Sequence, residues 1–369
     1  MKIAIVGTRG IPANYGGFET FAEECAAGLV SRGHHVTVYG RSHYVSRTLK
    51  SYRGVELVVL PTLRWKYTDT VVHSFFSILH ALPRRYDLIL ICNAANSVFA
   101  WIPRIFGIPT VVNVDGIERR RQKWNWLGKT YYYLGEHFSV WFPSAMVTDA
   151  RVMERYYRDR YGASSIFIPY GATTDKPSNW EALGRLGLKP EEYFLYVSRL
   201  EPENNAHLVV GAFETVKTSK RLVIVGDAPY ARDYIRKVRS TRDPRIVFTG
   251  TVYGEDYRQL QAFAYCYIHA TEVGGTHPAL IEAMGQGNIV IANGTPENCE
   301  VLQNAGLVYR KNDASDLARC IQDVADDPER YARLKAAARE RVRTSYSWES
   351  VVCQYERLFT KVSRPEKGP

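Results

Sequence analysis

The feature that most constrains this chain is an alternation. Short runs rich in β-branched and aromatic residues are separated by stretches of helical period, a pattern that predicts βαβ units and mainly parallel sheets. The alternation occurs twice. In the first half the candidate strands are residues 3–6, 35–39, 55–60, 88–92, 110–114, 145–148 and 165–169. The clearest helix there is 18–31, where Phe21, Cys25 and Leu29 repeat at helical spacing and Arg32-Gly33 supplies a stop signal. Over 171–190 the pattern lapses into Thr173-Thr174-Asp175, Lys176-Pro177-Ser178-Asn179 and two more glycines. A second series follows, with strands at 193–197, 221–225, 246–248, 264–269, 288–291 and 307–309 and helices between them. The expected fold class is α/β: two doubly wound domains, 1–172 and 191–345, joined by a linker over 173–190 and facing a central cleft. A closing helix and basic tail over 346–369 is expected to return to the first domain. Open α/β sheets bind ligands at the carboxyl ends of their strands.

Composition narrows the class further. With 369 residues, 46% of them hydrophobic and 23% charged, the chain holds about two cores of ordinary domain size. No stretch of bilayer-spanning length is free of charge and proline, and the first seven residues read as a strand rather than a signal peptide. The protein is therefore expected in the cytosol. The six cysteines show no C-x-x-C pairing, the nine histidines no H-E-x-x-H, and there is no Asp-x-Asp, so the usual metal-holding patterns are missing. Net charge is +10 and uneven: residues 1–170 carry 21 basic and 12 acidic groups, residues 171–369 carry 27 and 26. A basic first half suits phosphorylated substrates, anionic lipid or nucleic acid.

Three stretches carry chemistry. The first strand runs into a loop containing Arg9, Gly16 and Gly17 ahead of a helix, where backbone N–H groups and the positive helix end favour phosphate. It is not G-x-G-x-x-G, and a long loop with purely conformational needs for its glycines reads it equally well. In the second half, Arg199 follows the strand 193–197, at a strand's carboxyl end, where a guanidinium binds a diphosphate bidentately. Farther on, Gly274, Gly275 and Thr276 form a turn into a helix bearing Glu282, an arrangement that offers N–H groups to phosphate oxygens and a carboxylate to a ribose diol.

With these stretches and with residues 113–124, the chain resembles the retaining, nucleotide-sugar-dependent glycosyltransferases of the glycosyltransferase 4-like family. They have the GT-B fold of two Rossmann-like domains, and the likeness is strongest to the bacterial surface-polysaccharide branch that includes rhamnosyltransferases. The resemblance implies sugar transfer from a nucleoside-diphosphate donor with no cofactor and no essential metal. It assigns the diphosphate to Arg199, the ribose to Glu282 and the phosphate-side loop to Gly16 and Gly17. Three positions depart from the family pattern. Asn204 stands where a lysine is usual, the first acid of the Glu-x7-Glu pair falls on Gly274, and the customary histidine falls on Asp115. Arg9 or another basic residue of the first half is expected to compensate for the lysine. Loss of the two sugar-gripping groups points to a 6-deoxy donor, dTDP-L-rhamnose. If Glu272 supplies the missing carboxylate from a shifted turn, an ordinary UDP- or GDP-hexose fits instead.

The resemblance places Tyr253 near the nucleobase and Asn204 on the donor side. Asp115, Glu118, Arg121, Lys123, Asn93 and Asn96 are expected on the acceptor side. Asp115, grouped with Arg199 and Glu282 as catalytic, reads either as a carboxylate that positions the acceptor or stabilises the oxocarbenium-like sugar, or as a turn cap before Gly116; Asn93 and Asn96 read either as cleft or as turn residues. The implied acceptor is a polyprenyl-diphosphate-linked saccharide, with the protein peripheral on the inner membrane face. Residues 70–82 offer Val71, Phe75, Phe76 and Leu79 as a lipid-facing or a core-packing surface. No nucleic-acid module is recognisable, so nucleic acid is not an expected partner. A UDP-sugar epimerase of the same fold and a non-catalytic relative are the competing readings.

Overall fold

The computed structural model describes the chain except Tyr15, Arg64, Lys66, Tyr67, Gln122, Lys123, Pro229, residues 364–369 and the side chain of Arg120. Lys123, expected on the acceptor side, lies outside the described residues. The chain divides into two units, one of residues 1–170 with the chain from 348 onward, the other of residues 171–347.

The first unit contains β1 (Lys2–Val6), α1 (Gly17–Ser31), β2 (His35–Arg41), β3 (Ser51–Tyr52), β4 (Val55–Leu60), α2 (Asp69–Ala81), β5 (Leu88–Cys92), α3 (Trp101–Ile105), β6 (Thr110–Val114), α4 (Trp126–Trp141), β7 (Ala145–Thr148), α5 (Arg151–Tyr161) and β8 (Ile166–Phe167). Its eight strands lie in the order β3-β4-β2-β1-β5-β6-β7-β8. All pairings are parallel except β3 with β4. Every residue of β5 and β6 is buried, as expected for parallel strands covered on both faces. On α1, Phe21, Ala22, Cys25, Ala26 and Leu29 share the inward stripe.

The second unit holds α6 (Glu181–Arg185), β9 (Tyr193–Val197), α7 (Ala206–Glu214), β10 (Arg221–Val225), α8 (Arg232–Val238), β11 (Ile246–Gly250), α9 (Gly254–Ala262), β12 (Cys266–His269), α10 (Pro278–Gln286), β13 (Ile289–Asn293), α11 (Pro296–Leu302), β14 (Leu307–Tyr309), α12 (Ala314–Asp326) and α13 (Ala332–Ser345). Its sheet is parallel throughout, in the order β11-β10-β9-β12-β13-β14. Residues 173–190, read as a linker, belong to this unit and carry α6.

The last helix, α14 (Trp348–Ser363), belongs to the first unit. Its Tyr355 is fully buried, lies 5.1 Å from the Phe21 ring of α1, and accepts a hydrogen bond on its hydroxyl from Asn113 Nδ2 at 2.6 Å.

Candidate functional site

In the second sheet the chain order reverses between β9 and β12, and ligands of open α/β sheets sit beyond the carboxyl ends of the strands at such a point. Arg199 follows β9, and the turn of Gly274, Gly275 and Thr276 follows β12, so strand pairing brings the two segments together. The segments are also tied directly. The Glu272 N–H donates to the Glu203 carbonyl at 3.1 Å, and Asn205 Nδ2 donates to the Ala270 carbonyl at 3.0 Å.

Arg199 is one-third exposed, and its guanidinium lies 3.7 Å from the buried Glu201 carboxylate. Glu201 in turn accepts from the Tyr230 hydroxyl at 2.5 Å. Asn204 is not placed as a donor contact. It is 3% exposed, its Nδ2 donates to the Arg199 carbonyl at 2.7 Å, and its own carbonyl accepts from Tyr196. A side chain so enclosed braces the arginine loop from behind. The β10 end closes against the same loop: a Cβ on Gly226, whose φ is +133°, would fall 1.8 Å from the Ser198 carbonyl oxygen.

Glu282 lies on α10, and its Oε2 accepts from the Tyr257 hydroxyl of α9 at 2.6 Å. Gln261 then donates to Tyr257 and to the Ala279 carbonyl, fixing α9 against the start of α10. Burial, reinforced by the Glu282 charge, pushes the Tyr257 phenol far above its ordinary range, so it stays a donor. Tyr253, 44% exposed, precedes α9 in extended conformation.

Gly274 has a neighbour that sequence reasoning passed over. A Cβ there would lie 2.4 Å from His277 Cε1, so the imidazole stands where a side chain at 274 would begin. The His277 ring is 4.8 Å from that of His269, whose burial holds its imidazole neutral, well below its usual range. Glu272 is the acid held nearest in sequence to this turn. Its Oε2 accepts from Asn312 Nδ2, and the Asn312 side-chain Oδ1 accepts from Asn205 Nδ2 and Asn293 Nδ2. Of the residues not foreseen, Tyr257 had a sequence signal, the four-residue spacing of Tyr253, Tyr257 and Gln261. Asn312 had none, since 40 residues separate it from Glu272.

In the first unit the same topological reversal falls between β1 and β5. Gly16 is the extended residue before α1, and Gly17 is its first residue. The loop does not leave all its N–H groups outward. Those of Arg9 and Ala13 donate to Glu19 and Glu23 of α1 itself at 2.9 and 2.7 Å, so these two donors serve the fold rather than a phosphate. The Arg9 guanidinium lies 5.2 Å from the Tyr44 ring centre and 3.9 Å from Glu19.

Asn96 is not an acceptor-side group. It is fully buried, its Nδ2 donates to the Gly7 and Cys92 carbonyls, and its Oδ1 accepts from Ser74. With its amide so occupied, it stitches α2 and the β1 and β5 ends together. Asn93 caps the following turn by accepting from the Ala95 N–H at 2.9 Å. Asp115 follows β6 ahead of Gly116, which has φ +54°. Glu118 and Arg121 pair with each other at 2.6 Å, and Arg119 pairs with the buried Glu136 at 2.9 Å.

Residues 178–341 match the model described as Glycosyl transferases group 1, and residues 16–171 match the Glycosyl transferase 4-like domain. The chain is similar to the O-antigen chain mannosyltransferase B of Escherichia coli, 27% identical over 54% of this chain and 53% of that protein, about half its length. It is also similar to a GDP-mannose-dependent alpha-mannosyltransferase of Corynebacterium glutamicum, 24% identical over 98% and 89% of the two chains. Among solved structures, sucrose-phosphate synthase from Thermosynechococcus elongatus shares the fold, with a TM-score of 0.81, 19% identity and 98% of both chains covered.

Proposed function

This chain belongs to the group 1, 4-like glycosyl transferases, and from that premise we propose that it moves a hexose from a nucleoside-diphosphate sugar to an acceptor hydroxyl with retention of configuration. The observation that carries the reading is the convergence at the β9/β12 switch point of Arg199, the 274–276 turn and a braced Glu282. Arg199 meets the diphosphate, the N–H groups opening α10 take its oxygens, and Glu282 takes the ribose diol. As the bond from the sugar to the diphosphate lengthens, negative charge gathers on the leaving group. Arg199 and the N–H groups stabilise that charge, and a departing phosphate oxygen takes the proton of the acceptor hydroxyl on the same face. Pre-aimed donors of this kind are worth roughly 3–4 kcal/mol each.

For the donor, the reading is a GDP-linked hexose, mannose foremost, rather than dTDP-L-rhamnose. The relative that spans 98% of this chain is named for GDP-mannose, and the O-antigen relative is named a mannosyltransferase. The deoxysugar expectation rested on two replaced groups, the carboxylate at Gly274 and the histidine at Asp115. Glu272, held by Asn312, favours a hexose by offering that carboxylate from the adjacent turn. The acceptor in this reading is a lipid-linked saccharide, which suits a first half carrying 21 basic against 12 acidic groups.

The test is thermal stability of the purified chain against GDP-mannose, UDP-glucose, dTDP-L-rhamnose and the free nucleotides. A ligand at about 100 times its Kd adds roughly 2.7 kcal/mol. The largest rise is expected with GDP-mannose. A rise confined to dTDP-L-rhamnose overturns the donor, and no rise with any nucleotide sugar overturns the transferase reading.

A further inference from the structure

Helix α4 is inverted for a helix on a water-facing surface. The residues it turns into the protein include Gly128, Gly135, Glu136 and Ser139. Leu127, Leu134 and Trp141, spaced by seven and so on one stripe, are 56%, 46% and 59% exposed. The inward side is fitted to this orientation. A Cβ on Gly135 would lie 2.5 Å from the Ala94 carbonyl oxygen, and Ser97 Oγ donates to the Gly135 carbonyl at 2.6 Å. Glu136 accepts from Arg119, Tyr156 and Tyr161. Rotating the helix to bury the stripe would break all of these contacts.

The neighbouring α3 repeats the pattern. Trp101 and Ile105 are 41% and 71% exposed, as is Phe106 just beyond it at 63%. Arg104 donates to the carbonyls of Trp141 and Phe142 at 2.9 and 3.3 Å, locking α3 to the end of α4. Trp101, Ile105, Phe138 and Phe142 line an open apolar groove at this junction. Residues 70–82 read as either a lipid-facing or a core-packing surface, and the larger apolar exposure falls on α3 and α4. On α2, Phe76 and Leu79 face outward, while His73, Ser74, Ser77, Ile78 and Ala81 are buried.

A contiguous apolar surface bordered by polar residues marks a face that meets something other than water. The border indicates what that is. Alongside α4, α5 exposes Arg155, Arg158 and Arg160, and Arg160 lies over the Tyr133 ring of α4. Of the acids between 126 and 161, Glu136 and Asp149 are buried, while Glu154 and Asp159 are each paired with an arginine. A second copy of the chain would bring the same arginine border to the contact, like charge against like. Tryptophans and isoleucine edged by arginines match the headgroup boundary of an anionic bilayer.

We propose that α3 and α4 form an interfacial face that docks on an anionic lipid surface, with Ile105, Leu134 and Trp141 entering the headgroup region and the α5 arginines meeting lipid phosphates. The purified full chain is floated with vesicles of phosphatidylcholine alone and of phosphatidylcholine mixed with phosphatidylglycerol. Tryptophan emission is read on the same samples. Flotation with the anionic vesicles and a blue shift are expected. The combined variant Ile105→Gln, Leu134→Gln, Trp141→Gln should lower partitioning about tenfold or more while keeping its circular dichroism and its nucleotide-induced stabilisation. Arg155→Glu with Arg158→Glu should abolish the preference for anionic vesicles. A chain that stays unbound with both vesicles overturns the proposal, as does a lipid-free dimer that the triple glutamine variant converts to monomer. Retained nucleotide stabilisation in either case leaves the transferase reading standing.

Discussion

Asn204 sits where the family pattern has a lysine, and the exchange alters the electrostatics of one loop. The amide holds the Arg199 carbonyl, so the loop is stiffened without gaining a second cation. Arg199→Ala should therefore lower kcat/KM for nucleotide release about a hundredfold to a thousandfold, with circular dichroism unchanged. Near-normal turnover would remove Arg199 from the diphosphate. Tyr257 acts one step back, through its hydrogen bond to Glu282. Tyr257→Phe deletes that brace but keeps the ring, so the expected change is a higher KM for the donor with kcat little altered. An equal fall in kcat with KM unchanged would show that Tyr257 acts on the transition state instead. These two residues differ in legibility. Arg199 announces itself by following a strand, whereas the role of Tyr257 depends on α9 lying against α10.

At the scale of elements, α14 shows how packing overrides local preference. Gly28 lies in the interior of α1, where glycine costs about 1 kcal/mol against alanine. Its lack of a Cβ is what admits Val352 of α14, because a Cβ there would fall 2.6 Å from Val352 Cγ2. Gly28→Leu gains helix propensity but forces α14 outward, at a cost of about 1–3 kcal/mol. The penalty should win, and the denaturation midpoint should fall; an unchanged midpoint would mean α14 adjusts freely. Long periodic elements such as α1 and strands such as β5 and β6 are readable from sequence, because burial on a fixed face imposes the period. The short α6 and α11 are not, since five and seven residues give too little period to recognise. The α4 stripe is visible as heptad spacing. Its direction is set by Gly135 pressed against Ala94 and by the partners of Glu136, all remote in sequence.

For the whole molecule, buried histidines set an acid limit. Burial, helped by the Arg41 charge, pulls the His73 imidazole down to about 4, and burial also holds His269 well below its ordinary value. Both bind protons more readily in the unfolded chain, so the stability they allow is complete above about pH 6.5. It falls as pH drops from there toward the folded values, by about 1.4 kcal/mol per pH unit for each histidine. Glu356 has the opposite chemistry but the same sign. Hydrogen bonds from His34 and Arg32 lower its carboxyl, so its contribution is present above the ordinary glutamate range and is lost as pH falls through the lowered value. The melting temperature should decline between pH 7 and pH 5 (about 6 being the middle of the histidine range), and His73→Gln should flatten the decline. A melting temperature independent of pH in that interval would contradict the burial of both rings.

The sequence by itself determined the two α/β series, their parallel strands and the stretches around Arg199 and Glu282, because the periods and glycine turns that encode them are local. Tertiary structure alone decided what each polar residue near those stretches does. Asn204, which reads as a donor contact, and Asn96, which reads as either a cleft or a turn residue, are enclosed braces. Glu272 gains its place from Asn312, and His277 gains its place over Gly274. The physical reason is that a side chain's role follows from which hydrogen-bonding groups the fold has already paired, and those partners come from distant strands and helices.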